Sequence, residues 1–254
     1  VARSSGFAAR TYRTSAVVLR THNLGEADRI VTLLSSEHGQ IRAVARGVRR
    51  TSSKFGARLE PFMVTDLQLI SGHSLDTVTQ AVSRSSYGQP IAAHYEKYTT
   101  ATAMAEAAEK LTDVDAESAS AQYRLLIGGL GVLARGEHAP GLILDSYLLR
   151  ALATAGWAAS FDSCARCGEP VPIGSQMAFS AALGGTVCSA CRPPGSAAPA
   201  PETMQLLGAL ISGNWDVADA SAPEHRREAA GLVAAFVQWH LERSLRSLRL
   251  IERS

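Results

Sequence analysis

Residues 15–46 read SAVVLRTHNLGEADRIVTLLSSEHGQIRAVAR, and the punctuation of this stretch decides the N-terminal fold. Three short apolar and β-branched runs, Ser15–Arg20, Arg29–Leu34 and Gln40–Arg46, read as strands. Turn chemistry parts them: Asn23, Gly25 and Asp28 fill the first gap, His38 and Gly39 the second. Downstream, Phe62–Ile70 and Leu75–Val82 are two more such runs, separated by Ser71, Gly72 and His73. Five strands with one long link, Gly47–Pro61, between the third and fourth predict a small, partly open antiparallel barrel. The OB fold is the commonest compact solution, and an SH3-like barrel gives nearly the same string.

Beyond Tyr87 the period changes to a helical one. Tyr98, Thr102, Ala105, Ala108 and Leu111 share one helix face, and helices are expected over Ile91–Leu111, Ser118–Arg135, Gly141–Gly156, Pro201–Ser212 and Pro223–Ile251. The expected organisation is α+β and multidomain, with a barrel over residues 1–83 and a helical bundle over 84–254. Residues 161–199 interrupt the bundle and hold all four cysteines. With 254 residues, 46% hydrophobic and 19% charged, the composition is that of a globular chain. No apolar run approaches the ~18 residues of a membrane span. Residues 1–11 lack the ~7–15-residue apolar core of a secretory signal and are left out of the fold argument, so a cytoplasmic location is expected.

The net charge of +2 conceals a strong asymmetry. Residues 1–58 carry eleven Lys or Arg against Glu26, Asp28 and Glu37, a balance of +8, which leaves −6 for the rest. Such a front end attracts a polyanion, although a solvated basic face has the same composition.

Cys164-Ala165-Arg166-Cys167 and Cys188-Ser189-Ala190-Cys191 form C-x2-C-x20-C-x2-C. Each CxxC turn directs two thiolates at one point, and four sulfurs complete the tetrahedron that Zn²⁺ prefers while leaving no position for a reactive water. One structural zinc is therefore expected. Disulfides, a redox CxxC and an iron–sulfur cluster are the alternatives, the first disfavoured by a reducing cytosol. Signatures of catalysis are missing. None of Lys54, Lys97 and Lys110 follows a glycine, which excludes a Walker A loop, and neither HExxH nor GxSxG occurs. Gly129-Leu130-Gly131 lacks the βαβ surroundings of a dinucleotide site and reads as close helix packing. Binding, not an enzymatic reaction, is expected.

The link Gly47–Pro61 places Arg49, Arg50, Lys54 and Arg58 among Gly and Ser, where the backbone can follow a phosphodiester chain. No Phe, Tyr or Trp lies between Thr14 and Lys54, so phosphate contacts have to dominate over stacking on the first strands. Phe55 is either a stacking residue or a core anchor. Together, Leu24-Gly25-Glu26-Ala27-Asp28-Arg29-Ile30-Val31, Gly47-Val48-Arg49-Arg50 and Ser53-Lys54-Phe55-Gly56-Ala57-Arg58-Leu59-Glu60-Pro61 resemble the bacterial recombination-mediator and DNA-repair family RecO.

The resemblance spans nearly the whole chain from about Arg13. It implies an OB barrel, a helical domain with an inserted four-cysteine zinc module, and a nucleoid-associated bacterial protein. It implies binding and annealing of single- and double-stranded DNA, work with RecR and the single-stranded-DNA-binding protein, and help in loading RecA. The DNA-binding role falls on Arg20, Arg29, Arg42, Arg46, Arg49, Arg50, Lys54 and Arg58. Alternation along the third strand sets Arg42 and Arg46 on one face, opposite Ile41, Ala43 and Ala45. In the helical domain Leu142, Leu148, Leu149 and Leu152, with Arg124, Arg135 and Arg150, are the candidate greasy groove edged by cations for an acidic partner peptide. Arg243, Arg246 and Arg249 form a second candidate basic ridge. The rival reading is a zinc-stabilised protein–protein scaffold that does not touch DNA.

Overall fold

The structure, a computed structural model, describes residues 10–114, 118–171 and 177–241. Five strands close a barrel in the order β1-β2-β3-β5-β4: β1 (Thr11–Leu24), β2 (Asp28–Ser35), β3 (Gly39–Ala45), β4 (Met63–Ile70) and β5 (Asp76–Ser86). All neighbours are antiparallel except β3 and β5, which close the barrel in parallel through Ala43–Asp76 and Val44–Thr77 alone. Closure by so short a parallel contact corrects the all-antiparallel expectation. β1 also starts four residues before the expected strand, because Thr11–Arg13 find partners in Gln68–Ile70 of β4.

The alternation along β1 serves two cores. Ala16 and Val18 point into the barrel with Val31, Leu33, Ile41, Leu67 and Leu69, whereas Val17 and Leu19 point out and pack with Leu34, Phe62 and Val64 on the helices. The barrel is therefore buried on its outer side as well. The long link re-enters the structure through a 3-10 turn, Gly56–Leu59, where Phe55 and Leu59 plug the barrel interior. It ends at Phe62, a buried residue with φ +69 whose amide donates to the Val18 carbonyl (2.9 Å).

The helical part comprises α1 (Gly88–Ala92), α2 (Tyr95–Val114), α3 (Ala119–Arg135), α4 (Pro140–Thr154), α5 (Pro201–Ser212), α6 (Trp215–Asp219) and α7 (Pro223–His240). A break at Ala93 and His94 divides what the periodicity joins into one helix, and α6 was not anticipated. Proline opens α4, α5 and α7, where its missing N–H costs nothing. Gly129 allows α3 to approach its neighbours, since a Cβ there would lie 2.4 Å from the Met104 methyl. The glycine string is close helix packing. α4 is buried on every side from Leu142 to Leu149 and runs through the middle of the bundle, against α2, α3, α5 and α7. α2 and α3 lie on β1, β2 and β3, and Gln40 donates from β3 to Thr112 Oγ1 of α2 (3.0 Å). No helix among the described residues is long and apolar enough to cross a membrane.

Between α4 and α5 the chain forms a small ribbon with β6 (Ala178–Ser180) and β7 (Gly185–Val187). Gly185, at φ +142, lies so close to Ser160 that a Cβ would sit 2.2 Å from its carbonyl oxygen; only glycine fits.

Candidate functional site

The ribbon assembles the four cysteines. Cys164 and Cys167 flank a tight turn closed by the Gly168 amide on the Cys164 carbonyl (2.8 Å), and Cys188 follows β7, with the Cys191 amide on its carbonyl (3.1 Å). The two turns face each other, held by Ala165 N–H on Thr186 O (2.8 Å). All four sulfurs lie within 4.8 Å of one another, with Cys167 and Cys188 Sγ 4.0 Å apart. A tetrahedron with ~2.3 Å metal–sulfur bonds needs sulfurs roughly 3.8 Å apart, so the group fits a metal ion. The separations do not fit a disulfide, which needs ~2.05 Å, and all four thiols are free.

The electrostatics agree. The backbone amide of Cys188, aided by those of Cys167 and Arg166, holds the Cys164 thiol down at about 6, whereas the hydrogen bond with Cys188 pushes Cys191 up to about 12. Thiolate at one sulfur makes the next hold its proton, and a divalent cation is what lets all four ionise together. Cys164 and the side chains of Val171, Ala178 and Val187 form the small core beneath the site.

The second assembly is a band of cations on the barrel. Ile41, Ala43 and Ala45 face inward, so Arg42 and Arg46 stand out from the opposite face of β3. The strand then runs into the link, whose start is pinned to the β1–β2 turn by Gly47 N–H on Asp28 Oδ1 (2.7 Å) and Arg49 N–H on Ala27 O (3.0 Å). That places Arg49 and Arg50 at the barrel rim, with Arg49 donating to Gly25 O (3.1 Å). Lys54 donates to Thr79 O (2.9 Å), and Arg58 folds back on Lys54 O (2.9 Å). All six are exposed, and among the described residues none forms an ion pair.

The other two of the eight are spent internally. Arg20 grips Glu109 of α2 through Nε (2.7 Å) and a terminal nitrogen (2.6 Å), and this bond raises the guanidinium pKa further. Arg29, mostly covered, pairs with Glu60 at the end of the link (2.6 Å). They weld barrel to helix and strand to link; nothing in the sequence marks Glu109 or Glu60 as their partners. Phe55 is 1% exposed, so it is an anchor and no base can stack on it. Lys54 Nζ sits 5.1 Å from its ring centroid.

The leucine groove is not there. Leu142, Leu148, Leu149 and Leu152 are all buried in the bundle core, since α4 is enclosed on every side. Arg124 is exposed on α3, Arg135 pairs with Glu137 (2.7 Å), and Arg150 donates to Ile211 O (3.2 Å). These cations edge no open apolar surface formed by those leucines. Arg243, Arg246 and Arg249, with the end of the last expected helix, lie outside the described residues.

A barrel with a cationic strand and link, followed by a helical bundle carrying a four-cysteine ribbon, has known counterparts. The model for the N-terminal part of recombination protein O matches residues 9–87, and that for its C-terminal part matches residues 92–249. The chain belongs to the RecO family. It is 54% identical over 242 residues to the DNA repair protein RecO of a Nocardioides species, covering 95% of this chain and 99% of that one. To the DNA repair protein RecO of Streptomyces coelicolor it is 53% identical over 248 residues, with 95% and 99% coverage, and to that of Thermobifida fusca 53% over 243 residues, with 96% and 99%. The RecO resemblance seen in the link and the β1–β2 region therefore extends through both parts of the chain.

Proposed function

We propose that this chain is a non-catalytic recombination mediator in DNA repair. It binds single- and double-stranded DNA through Arg42, Arg46, Arg49, Arg50, Lys54 and Arg58 and anneals complementary strands. It acts with RecR and the single-stranded-DNA-binding protein to help load RecA. The observation that carries the reading is the row of six exposed cations, free of carboxylate partners among the described residues, along β3 and the link. One such surface neutralises phosphates on two strands at once, lowering their repulsion while leaving the base edges free to pair. Annealing so achieved needs no nucleotide hydrolysis. A single Zn²⁺ on Cys164, Cys167, Cys188 and Cys191 would cross-link the two turns of the ribbon, a structural role that leaves no open coordination position. Family membership supports the repair role, and the Arg20–Glu109 pair supports a barrel held firmly on the bundle.

An annealing assay with complementary oligonucleotides, run beside metal analysis, tests this. Wild type is expected to accelerate annealing and to carry one zinc per chain; Cys164→Ala should lose the metal and thermal stability, and Arg49→Ala/Arg50→Ala should keep the metal and lose annealing. A folded, metal-loaded protein that shows no salt-sensitive attachment to DNA would refute the proposal in favour of a protein-only scaffold.

A further inference from the structure

The cationic row has an end. Arg46 follows directly on the end of β3 and Arg42 stands within it, and on the far side of Arg42 the strand begins at a cleft of about 570 Å³. Its walls come from four separate segments: Arg10, Thr11 and Tyr12 opening β1, His38 in the β2–β3 turn, Gln40 to Arg42 of β3, and Ser71 to Ser74 with Asp76 around the β4–β5 turn. The size is that of a small-ligand site.

Its chemistry is that of a nucleotide. Two aromatic rings form one wall: Tyr12 and His38 meet edge to face, with centroids 5.0 Å apart and planes at 74°. Tyr12 is fixed in place, because its hydroxyl donates to Asp76 Oδ2, and burial together with that carboxylate raises its pKa. Among the described residues Asp76 is the only carboxylate lining the cleft, and its other oxygen accepts the Gly72 amide (3.0 Å). One of its oxygens closes the turn and the other holds Tyr12 of β1. Arg10 and Arg42 supply two permanent positive charges, Arg10 being anchored through its own amide on Ser71 Oγ (3.0 Å), and His73 stands at the exposed turn. Such a site, lined by both aromatic rings and cations, lies at the end of a basic strand.

We propose that this cleft seats one nucleotide of single-stranded DNA, its base against the Tyr12–His38 wall and its phosphate between Arg10 and Arg42. The proposal rests on the DNA-binding reading above and adds to it a preference for unpaired bases that the phosphate-only row lacks. A paired base is held in the duplex stack and cannot turn into the cleft, so the cleft distinguishes strand from duplex.

The test is fluorescence anisotropy with labelled oligo(dT), an abasic strand of equal length and a duplex, on wild type, His38→Ala, His38→Phe and Arg10→Ala. The His38 side chain is 45% exposed, so its truncation leaves folding intact, as a thermal melt will verify. His38→Ala is expected to weaken oligo(dT) binding about tenfold and to change abasic and duplex binding less than about twofold, with His38→Phe restoring oligo(dT) binding. Arg10→Ala should lower the oligo(dT) salt slope by about 0.7. Equal losses on all three substrates, or no loss at all, would overturn the cleft assignment while leaving the cationic row standing. Failure of wild type to bind any of the three would overturn the DNA reading itself.

Discussion

Removing Arg49, Arg50 and Lys54 together separates the free cations from the paired ones. Six exposed cations carry no carboxylate partner among the described residues, and each phosphate they neutralise releases counterion, contributing about 0.7 to the slope of log K against log salt on a single strand. One phosphate each gives a slope of about −4, so between roughly 50 and 200 mM salt the wild-type affinity falls about 300-fold. The triple alanine variant keeps half of these cations; its slope should be about −2 and its loss over the same range about twentyfold. Arg20→Ala/Arg29→Ala removes two charges from the same barrel but leaves the slope untouched, because Glu109 and Glu60 already neutralise them. That double variant should instead lower the folding stability, by roughly 0–1 kcal/mol per partly exposed pair, which a thermal melt reads as a lower melting temperature. Fluorescence anisotropy on oligo(dT) at four or more salt concentrations measures both slopes. A triple variant with the wild-type slope, or a double variant whose slope falls as far, would refute the division into free and structural cations.

Two further outcomes concern the bundle. Tyr147 is buried, its hydroxyl has no hydrogen-bond partner among the described residues, and burial raises its pKa. The folded state therefore holds this proton where the unfolded chain has released it, and stability should fall as pH rises above about 10. Tyr147→Phe should shallow that alkaline loss and cost under about 1 kcal/mol at neutral pH; a larger neutral-pH loss in a urea titration would mean that the hydroxyl is satisfied. Leu149→Ala should destabilise by about 2–5 kcal/mol, as a cavity in the middle of the bundle demands. A folded variant of unchanged stability would show that Leu149 faces solvent and would reopen the groove.

The strands, their turns and the four-cysteine group were legible in the sequence because each is local. Period-two alternation set Arg42 and Arg46 opposite Ile41, Ala43 and Ala45 whatever else the chain did, and a CxxC turn brings two sulfurs together by itself. The RecO motifs in the β1–β2 turn and the link were likewise continuous stretches. What periodicity could not tell was which apolar face meets solvent. Leu142, Leu148, Leu149 and Leu152 have the pattern of an exposed groove and of a core helix alike, and packing by four neighbouring helices selected the core.

Tertiary structure alone decided how the charges are used. Glu109 lies 89 positions from Arg20 and Glu60 lies 31 from Arg29, so no local spacing rule links them. The same folding carried Phe55 into the barrel, closing one route to base stacking, and brought Tyr12 beside His38. Composition established that the front of the chain is positive; the side chains that remain positive toward solvent were chosen by contacts between segments distant in sequence, since an ion pair depends on position in space.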